Sequence, residues 1–259
     1  MMSQTDRLHF LISYMQQEDN TEQAVPNEFE ERFEAFRGLA NRRPAVKISR
    51  EFLDVQDAFL SEYNTAGVTD FKALEPVDGQ LYIWQGDITT LKIDAIVNAA
   101  NAEMLGCLIP NHNCIDNIIH TKAGVELRLE CAEIMKRQGR KEAVGRAKIT
   151  SAYNLPADYV IHTVGPVVQN GKVSPMKQDL LAKCYRSCLE IADKHNIEAL
   201  AFCSISTGVF GYPKEEAAAT AVTAVKQYLE ETGSSISVVF NVFDTDDLKI
   251  YENLLTQER

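Results

Sequence analysis

No stretch of this 259-residue sequence approaches the roughly 20 consecutive apolar residues that cross a bilayer. The opening MMSQTDRLHFLISYMQQED also lacks the basic start and long apolar run of a secretion signal. These absences argue against a membrane role and make the cytoplasm the expected compartment. Positive charge is scarce: 26 Lys and Arg stand against 37 Asp and Glu, giving a net charge of −11 and a pI near 5.0. There is no broad basic footprint for nucleic acid. A phosphate-bearing ligand would have to be held by local backbone N–H groups, at a Gly-bearing loop running into a helix. Cysteine is sparse, with six in the chain and no Cys-x-x-Cys pair, which excludes a disulfide scaffold and a zinc finger. With 45% hydrophobic residues, the chain can bury one substantial core and a small accessory unit, and nothing points beyond a monomer.

Against that background Cys107, His112 and Cys114 stand out, three soft or borderline metal ligands within the eight residues of one turn-forming loop. Structural zinc takes four protein ligands, whereas catalytic zinc takes three and keeps one position open. A working metal is therefore the first reading of this loop. The alternatives are a Cys107–Cys114 disulfide or two buried thiols. A reducing compartment disfavours the disulfide and keeps both thiols available as ligands.

The first 75 residues differ from the rest. They carry 8 Lys or Arg and 14 Asp or Glu (8 − 14 = −6) and show helical periodicity through EFEERFEAFRGLANR and ISREFLDVQDAFLSEYN. Phe29, Phe33 and Phe36 fall on one helical face, a stripe read as core with no chemistry assigned to it. An N-terminal helical extension over residues 1–75 is expected to dock on a main domain over 76–259, with Pro76 and Gly79 marking the boundary. From Leu81 onward strand-like and helix-like runs alternate: LYIWQGDI, DAIVNAAN, a helix through IDNIIHTKAGVELRLECAEIMKRQ, then AKITSAYNL and DYVIHTVGP. A helix through MKQDLLAKCYRSCLEIADKHN, the run ALAFCSIST, a helix through KEEAAATAVTAVKQYLEE and a last strand SISVVFNVFD complete the set. This alternation predicts an α/β fold on a mostly parallel sheet. Ligands in such sheets bind beyond the carboxyl ends of the strands.

Three loops fall at those ends: Gly86-Asp87-Ile88-Thr89, Asn98-Ala99-Ala100-Asn101, and the run from Ser204 to Pro213. The third is the expected phosphate cradle, because Gly208 and Gly211 permit close backbone approach, Ser206 and Thr207 add donors, and a helix start follows. Phe210 or Tyr212 is placed to stack on a ring or sugar.

Taken in order, GDIT, IVNAAN, the IH-x-x-AG run from Ile119 to Gly124, HTVGP from His162 to Pro166, and STGVFGYP resemble the macrodomain family, which binds ADP-ribose. The resemblance covers about residues 80–250 and implies a three-layer α/β/α fold with a mixed, mostly parallel central sheet, able to accommodate the final hairpin-like strands. Many macrodomains carry a run of glycines after NAAN, where this chain reads Gly-Cys-Leu-Ile-Pro-Asn-His-Asn-Cys. The substituted loop is similar to a microbial zinc-containing subgroup, whose members also have an N-terminal helical extension and act as protein-ADP-ribose hydrolases. Cys107, His112 and Cys114 match that subgroup's zinc ligands.

The resemblance implies further roles. Asp87 would accept from the adenine 6-amino group, with the backbone of Ile88 supporting the ring. N–H groups of Ser206, Thr207, Gly208, Val209 and Phe210 would hold the diphosphate, together with the backbone of Ile115, Asp116 and Asn117. Asn101 would bind the distal ribose beside zinc, which would either lower the pKa of water or orient the sugar. Asp116 is the candidate that positions or deprotonates the nucleophile, and His120, four residues on, is a candidate assistant. The function implied is zinc-dependent removal of mono-ADP-ribose from proteins. A non-catalytic ADP-ribose reader and an O-acetyl-ADP-ribose deacetylase are the alternatives. The subgroup's genes often sit beside a sirtuin-type transferase and a lipoyl-carrier protein, which makes that carrier the implied substrate.

Overall fold

The computed structural model describes residues 2–256. Three helices open the chain: α1 (Gln4–Glu18), α2 (Phe29–Arg42) and α3 (Arg50–Tyr63). Ser3 caps α1 in a capping box with Asp6, and Ser49 caps α3 by accepting from the Phe52 N–H, so N–H groups that a helix start leaves free are satisfied. Their apolar residues meet in a cluster separate from the main core, formed by Leu8, Leu11, Ile12, Met15, Phe36, Phe52, Phe59 and Leu60, with Phe29 and Phe33 at its edge and Val125 joining it from the main domain. The phenylalanine stripe is thus packed inside the extension. Helix α1 was not singled out from the sequence, although Leu8, Leu11, Ile12 and Met15 recur at helical spacing.

A short strand β1 (Thr69–Asp70) pairs in parallel with β3 (Leu91–Lys92), and β2 (Leu81–Gln85) lies between them in sequence. Phe71 and Leu74 already pack against the main core, so its contacts begin ahead of Pro76. The remaining elements follow in the expected alternation: β4 (Ala95–Ala99), α4 (Ile115–Ala123), α5 (Val125–Gln138), β5 (Ala147–Ser151) and β6 (Tyr159–Thr163), then α6 (Pro175–Lys194), β7 (Ala199–Phe202), α7 (Lys214–Thr232), β8 (Ser237–Val242) and α8 (Thr245–Thr256). The main sheet has the order β2-β8-β7-β4-β6-β5, parallel throughout except for β5 against β6. Helices α6, α7 and α8 pack side by side on the sheet, while α4 and α5 cover β4 and β5, completing an α/β/α sandwich.

Two expectations are corrected. The antiparallel pair is not formed by the final strands: β8 runs parallel between β2 and β7. The short turn at 152–158 allows β6 to return antiparallel beside β5, whereas α6 and α7 are long crossovers that restore the parallel direction. The helix expected over Ile115–Gln138 is two helices, broken at Gly124, which has φ +99°. A Cβ there would sit 2.6 Å from Nε2 of Gln56, a fully buried residue of α3 whose Oε1 accepts from the Val125 N–H at 2.9 Å. The extension thereby caps the start of α5. Asn64, at the end of α3, donates through Nδ2 to the carbonyls of Lys122 (2.9 Å) and Asn154 (2.7 Å).

Candidate active site

A cleft of about 1150 Å³ lies beyond the carboxyl ends of the parallel strands. It is lined by Gly86, Asp87 and Ile88 after β2, Ala100 and Asn101 after β4, Gly165 after β6, Ser204 and residues 206–210 after β7, and Phe243 after β8. The chain leaves β4 toward β6 and later returns to β7 on the other side, so the cleft stands where the strand order reverses. Helix α4 presents its N-terminus here. Cys114 is its cap residue, no side chain caps it, and Ile115 and Asp116 line the wall.

Cys107, His112 and Cys114 face the same cleft and are half-buried. Their ligand atoms all lie within 4.8 Å of one another, with Cys107 Sγ 3.6 Å from His112 Nδ1. A tetrahedral ion with bonds of about 2.3 Å to sulfur and 2.0 Å to nitrogen needs such a separation, and the two-sulfur, one-nitrogen donor set suits zinc. The residues present therefore fit a metal. Burial, and to a smaller extent the adjoining Cys107, push the Cys114 thiol up to about 12, so without a cation the Cys114 thiol stays protonated. All six cysteines are free thiols, which removes the disulfide alternative.

Behind the loop runs a polar chain. Asp116, 5% exposed, accepts from Asn98 Nδ2 at 2.7 Å and from Asn101 Nδ2 at 3.4 Å. Burial raises its pKa to about 6, against the opposing effects of the Asn98 hydrogen bond and the Arg128 charge. Asn101 also donates to the Gly106 carbonyl (3.0 Å) and accepts from the Met104 N–H (2.9 Å), tying the end of β4 to the start of the cysteine loop. The expectation for His120 needs correction. Its ring is buried and outside the cleft wall, with Nε2 3.6 Å from Asp116 Oδ1, so it stands behind Asp116. It instead forms a wall: a Cβ on Gly106, at φ +78°, would approach the His120 ring to 2.8 Å.

His120, Cys131 and His162 also bring ligand atoms within 4.8 Å of one another, but they are fully enclosed. His162 already spends both nitrogens, accepting at Nδ1 from Asn98 Nδ2 (3.1 Å) and donating from Nε2 to Thr150 Oγ1 (2.9 Å). This second group is packed core. Burial drives the His162 pKa down to about 3 and holds His120 well below its ordinary value. Both rings stay neutral in the folded protein while the unfolded chain takes up protons near pH 6.5. Their contribution is therefore present above pH 6.5 and is lost progressively as pH falls toward 3. By pH 4.5 His162 alone accounts for about 3 kcal/mol of that loss. Urea melts of His162→Gln between pH 7 and 4.5 are expected to show a flatter loss of stability than the parent, and an identical slope would reject this assignment.

The loop from Ser206 to Phe210 lines the cleft as expected. Ser206 has φ +69°, and a Cβ on Gly165 would fall 2.1 Å from its Oγ, so the two loops touch where only glycine fits. Tyr212 is corrected: it is 2% exposed in the main core and offers no stacking face, whereas Phe210 lines the cleft. Asn117 is likewise absent from the cleft wall, with its side chain wholly buried. Asp87 sits at the far end, its Oδ2 2.9 Å from Lys122 Nζ and its Oδ1 2.6 Å from Thr89 Oγ1. Burial acts to raise its pKa, but the hydrogen bonds from Lys122 and Thr89 outweigh it and hold the carboxylate below its ordinary range. Sequence reasoning named the loop that Asn98 opens but gave Asn98 no role of its own, and it singled out neither Lys122 nor Arg128. Asn98, a polar residue inside the apolar run Ala95–Ala99, carried the one available signal.

Comparison with known proteins agrees with this geometry. The Macro domain family model matches residues 97–221. A Staphylococcus aureus protein named protein-ADP-ribose hydrolase is 57% identical over 100% of this chain and 98% of its own length. The chain belongs to the Macro domain family. A Treponema medium protein of the same name is 46% identical over 98% of this chain and 100% of its own length. The Trypanosoma brucei macrodomain in complex with ADP-ribose superposes with a TM-score of 0.64 at 32% identity, covering 80% of this chain and 91% of that one. The matched family segment of this chain starts within β4 and ends within α7, so α1 to α3 lie outside it, as do β2, β8 and α8, whose ends also line the cleft.

Proposed function

We propose that this macrodomain is a zinc-dependent hydrolase that removes mono-ADP-ribose from modified proteins, of the zinc-containing subgroup. The observation that carries the reading is the placement of three nitrogen and sulfur donors at one end of the cleft, within a loop that hydrogen-bonds to Asn101 and adjoins Asp116. The relatives named protein-ADP-ribose hydrolase match over the whole chain, extension included, which supports the enzymatic reading. Zinc held by Cys107, His112 and Cys114 would supply Lewis acidity at the distal ribose. The chain's own groups do the rest. The N–H groups of Ile115 and Asp116 at the start of α4 and those of residues 206–210, which line the same cleft, would hold the diphosphate. Asn101, held by Gly106 and Asp116, is aimed at the distal ribose, and Asp116 is the carboxylate that orients or deprotonates the nucleophile.

Asp87 and Ile88 bind adenine at the other end. Lys122 fixes the Asp87 carboxylate without consuming all its acceptor sites. Asp87→Ala is expected to weaken ADP-ribose binding by about 1–3 kcal/mol, because the adenine amino group loses its acceptor. Calorimetric titration checks this, and unchanged affinity would reject the adenine assignment.

The deciding experiment is release of ADP-ribose from a panel of mono-ADP-ribosylated proteins, a lipoyl-carrier protein among them, by zinc-loaded and metal-stripped protein side by side. Zinc-dependent release supports the reading. Tight ADP-ribose binding with no release from any substrate would make the protein a reader, and release confined to O-acetyl-ADP-ribose would make it a deacetylase.

A further inference from the structure

Helix α2 belongs to the extension, yet its buried polar residues turn away from the extension's own core and into the cysteine loop. Arg37, 5% exposed, donates from Nη2 to the carbonyl of His112 (2.8 Å) and from Nε to Oδ1 of Asn117 (3.0 Å). Asn117 passes the contact on, donating from Nδ2 to the carbonyls of Ile109 (3.0 Å) and Cys107 (3.5 Å). One turn further along α2, Asn41, 1% exposed, accepts at Oδ1 from the Asn111 N–H (3.0 Å) and donates from Nδ2 to Thr121 Oγ1 (3.0 Å). Asn111 has φ +54°, and a Cβ on Gly38 would reach within 3.2 Å of its Oδ1, so helix and loop are in direct contact. Arg128 holds the loop's other end, donating to the carbonyls of Leu105 (2.7 Å), Ala40 (2.7 Å) and Arg43 (2.6 Å).

We propose that Arg37 and Asn41 are positioning residues for the metal loop, so that metal retention depends on the extension as well as on the three ligands. The inference rests on the zinc reading above. Between Leu105 and Cys114 the chain has no helix or strand, and its internal backbone bonds are confined to two tight turns, His112 N–H to Ile109 carbonyl and Cys114 N–H to His112 carbonyl. Such a loop would have to be ordered at the moment of metal binding, at an entropic cost on each residue. Arg37 and Asn41 fix it beforehand through the main chain of His112 and Asn111 and, by way of Asn117, that of Cys107. Outer-shell contacts of this kind usually change metal affinity by about 10–100-fold when removed.

The test uses full-length protein: the parent, Arg37→Met, Asn41→Ala and Arg37→Lys. Zinc affinity is measured by chelator competition, the cobalt(II) thiolate absorption is recorded, and ADP-ribose affinity is measured by calorimetry. Arg37→Met and Asn41→Ala are expected to hold zinc about 10–100-fold more weakly with a perturbed cobalt spectrum, while ADP-ribose affinity is unchanged. Arg37→Lys should recover part of the loss, since an ammonium can reach the His112 carbonyl but not Asn117 at the same time. Parental zinc affinity and cobalt spectrum in both Arg37→Met and Asn41→Ala would overturn the inference while leaving the zinc reading intact. A parent that binds neither zinc nor cobalt would overturn that reading and this inference with it. Should Arg37→Met fail to fold, Asn41→Ala, which removes no charge, decides the matter by the same two measurements.

Discussion

Cys107→Ala is expected to leave the purified protein without zinc and to lower ADP-ribose release by about 10³-fold, since a Lewis acid at the reacting centre contributes several kcal/mol and about 4 kcal/mol is a factor of that size. Only His112 and Cys114 would remain as donors, too few to retain the ion against the water it would otherwise bind. ADP-ribose affinity should change little, because the expected adenine and diphosphate contacts come from Asp87, Ile88 and residues 206–210, on other loops. His112→Ala should behave alike. Metal analysis of the purified variants, single-turnover release and calorimetry separate these effects. Zinc-free protein that turns over at the parental rate would sink the mechanism.

How much of this was legible in the sequence depends on whether the physical cause is local. The strand-end loops were readable because a turn needing close backbone approach needs glycine, and Gly208 and Gly211 sit between an apolar run and a helix start. The juxtaposition of Cys107, His112 and Cys114 was readable because ligand chemistry is written in residue type, and three such residues on one loop are close wherever that loop goes. What came from distant contacts stayed hidden. The helical period runs unbroken from Ile115 to Gln138, and a lone glycine inside a helix costs only about 1 kcal/mol. Nothing local indicates that Gln56 occupies the place of a side chain at Gly124. The phenylalanine stripe of α2 shows which face is apolar but not what its polar neighbours meet, so Arg37 and Asn41 were passed over and the segment was assigned no chemistry. His120 lies one turn beyond Asp116 on α4, and that spacing made it look like a partner in the chemistry. Both lie on one face of α4, but Gly106, which lines the cleft, packs against the His120 ring and closes it off, whereas Asp116 reaches the cleft wall.

Asp116→Asn is expected to cut kcat by about 10²–10³-fold, within the range for loss of a general base or orienting carboxylate, while ADP-ribose affinity holds. The carboxylate accepts from two side-chain amides, Asn98 and Asn101. An amide in its place can accept at one oxygen but turns a donor toward a donor at the other, so Asn101 loses the partner that aims it. Stability should move the opposite way. Burial raises the Asp116 pKa to about 6 from an ordinary 3.8, so its stabilising share is present below pH 3.8 and is lost as pH rises through 6. Above pH 6 the metal-stripped protein thus bears about 3 kcal/mol for keeping this charge buried, a cost the neutral amide does not carry. Metal-stripped Asp116→Asn should therefore be at least as stable as the parent at pH 7.5 and lose that advantage toward pH 4. A residue retained for folding alone would give the reverse result. Equal losses of kcat and of ADP-ribose affinity would recast Asp116 as a ligand-positioning group. The expected split, a more stable protein that binds its ligand and does not turn it over, would mark Asp116 as a charge kept for the reaction.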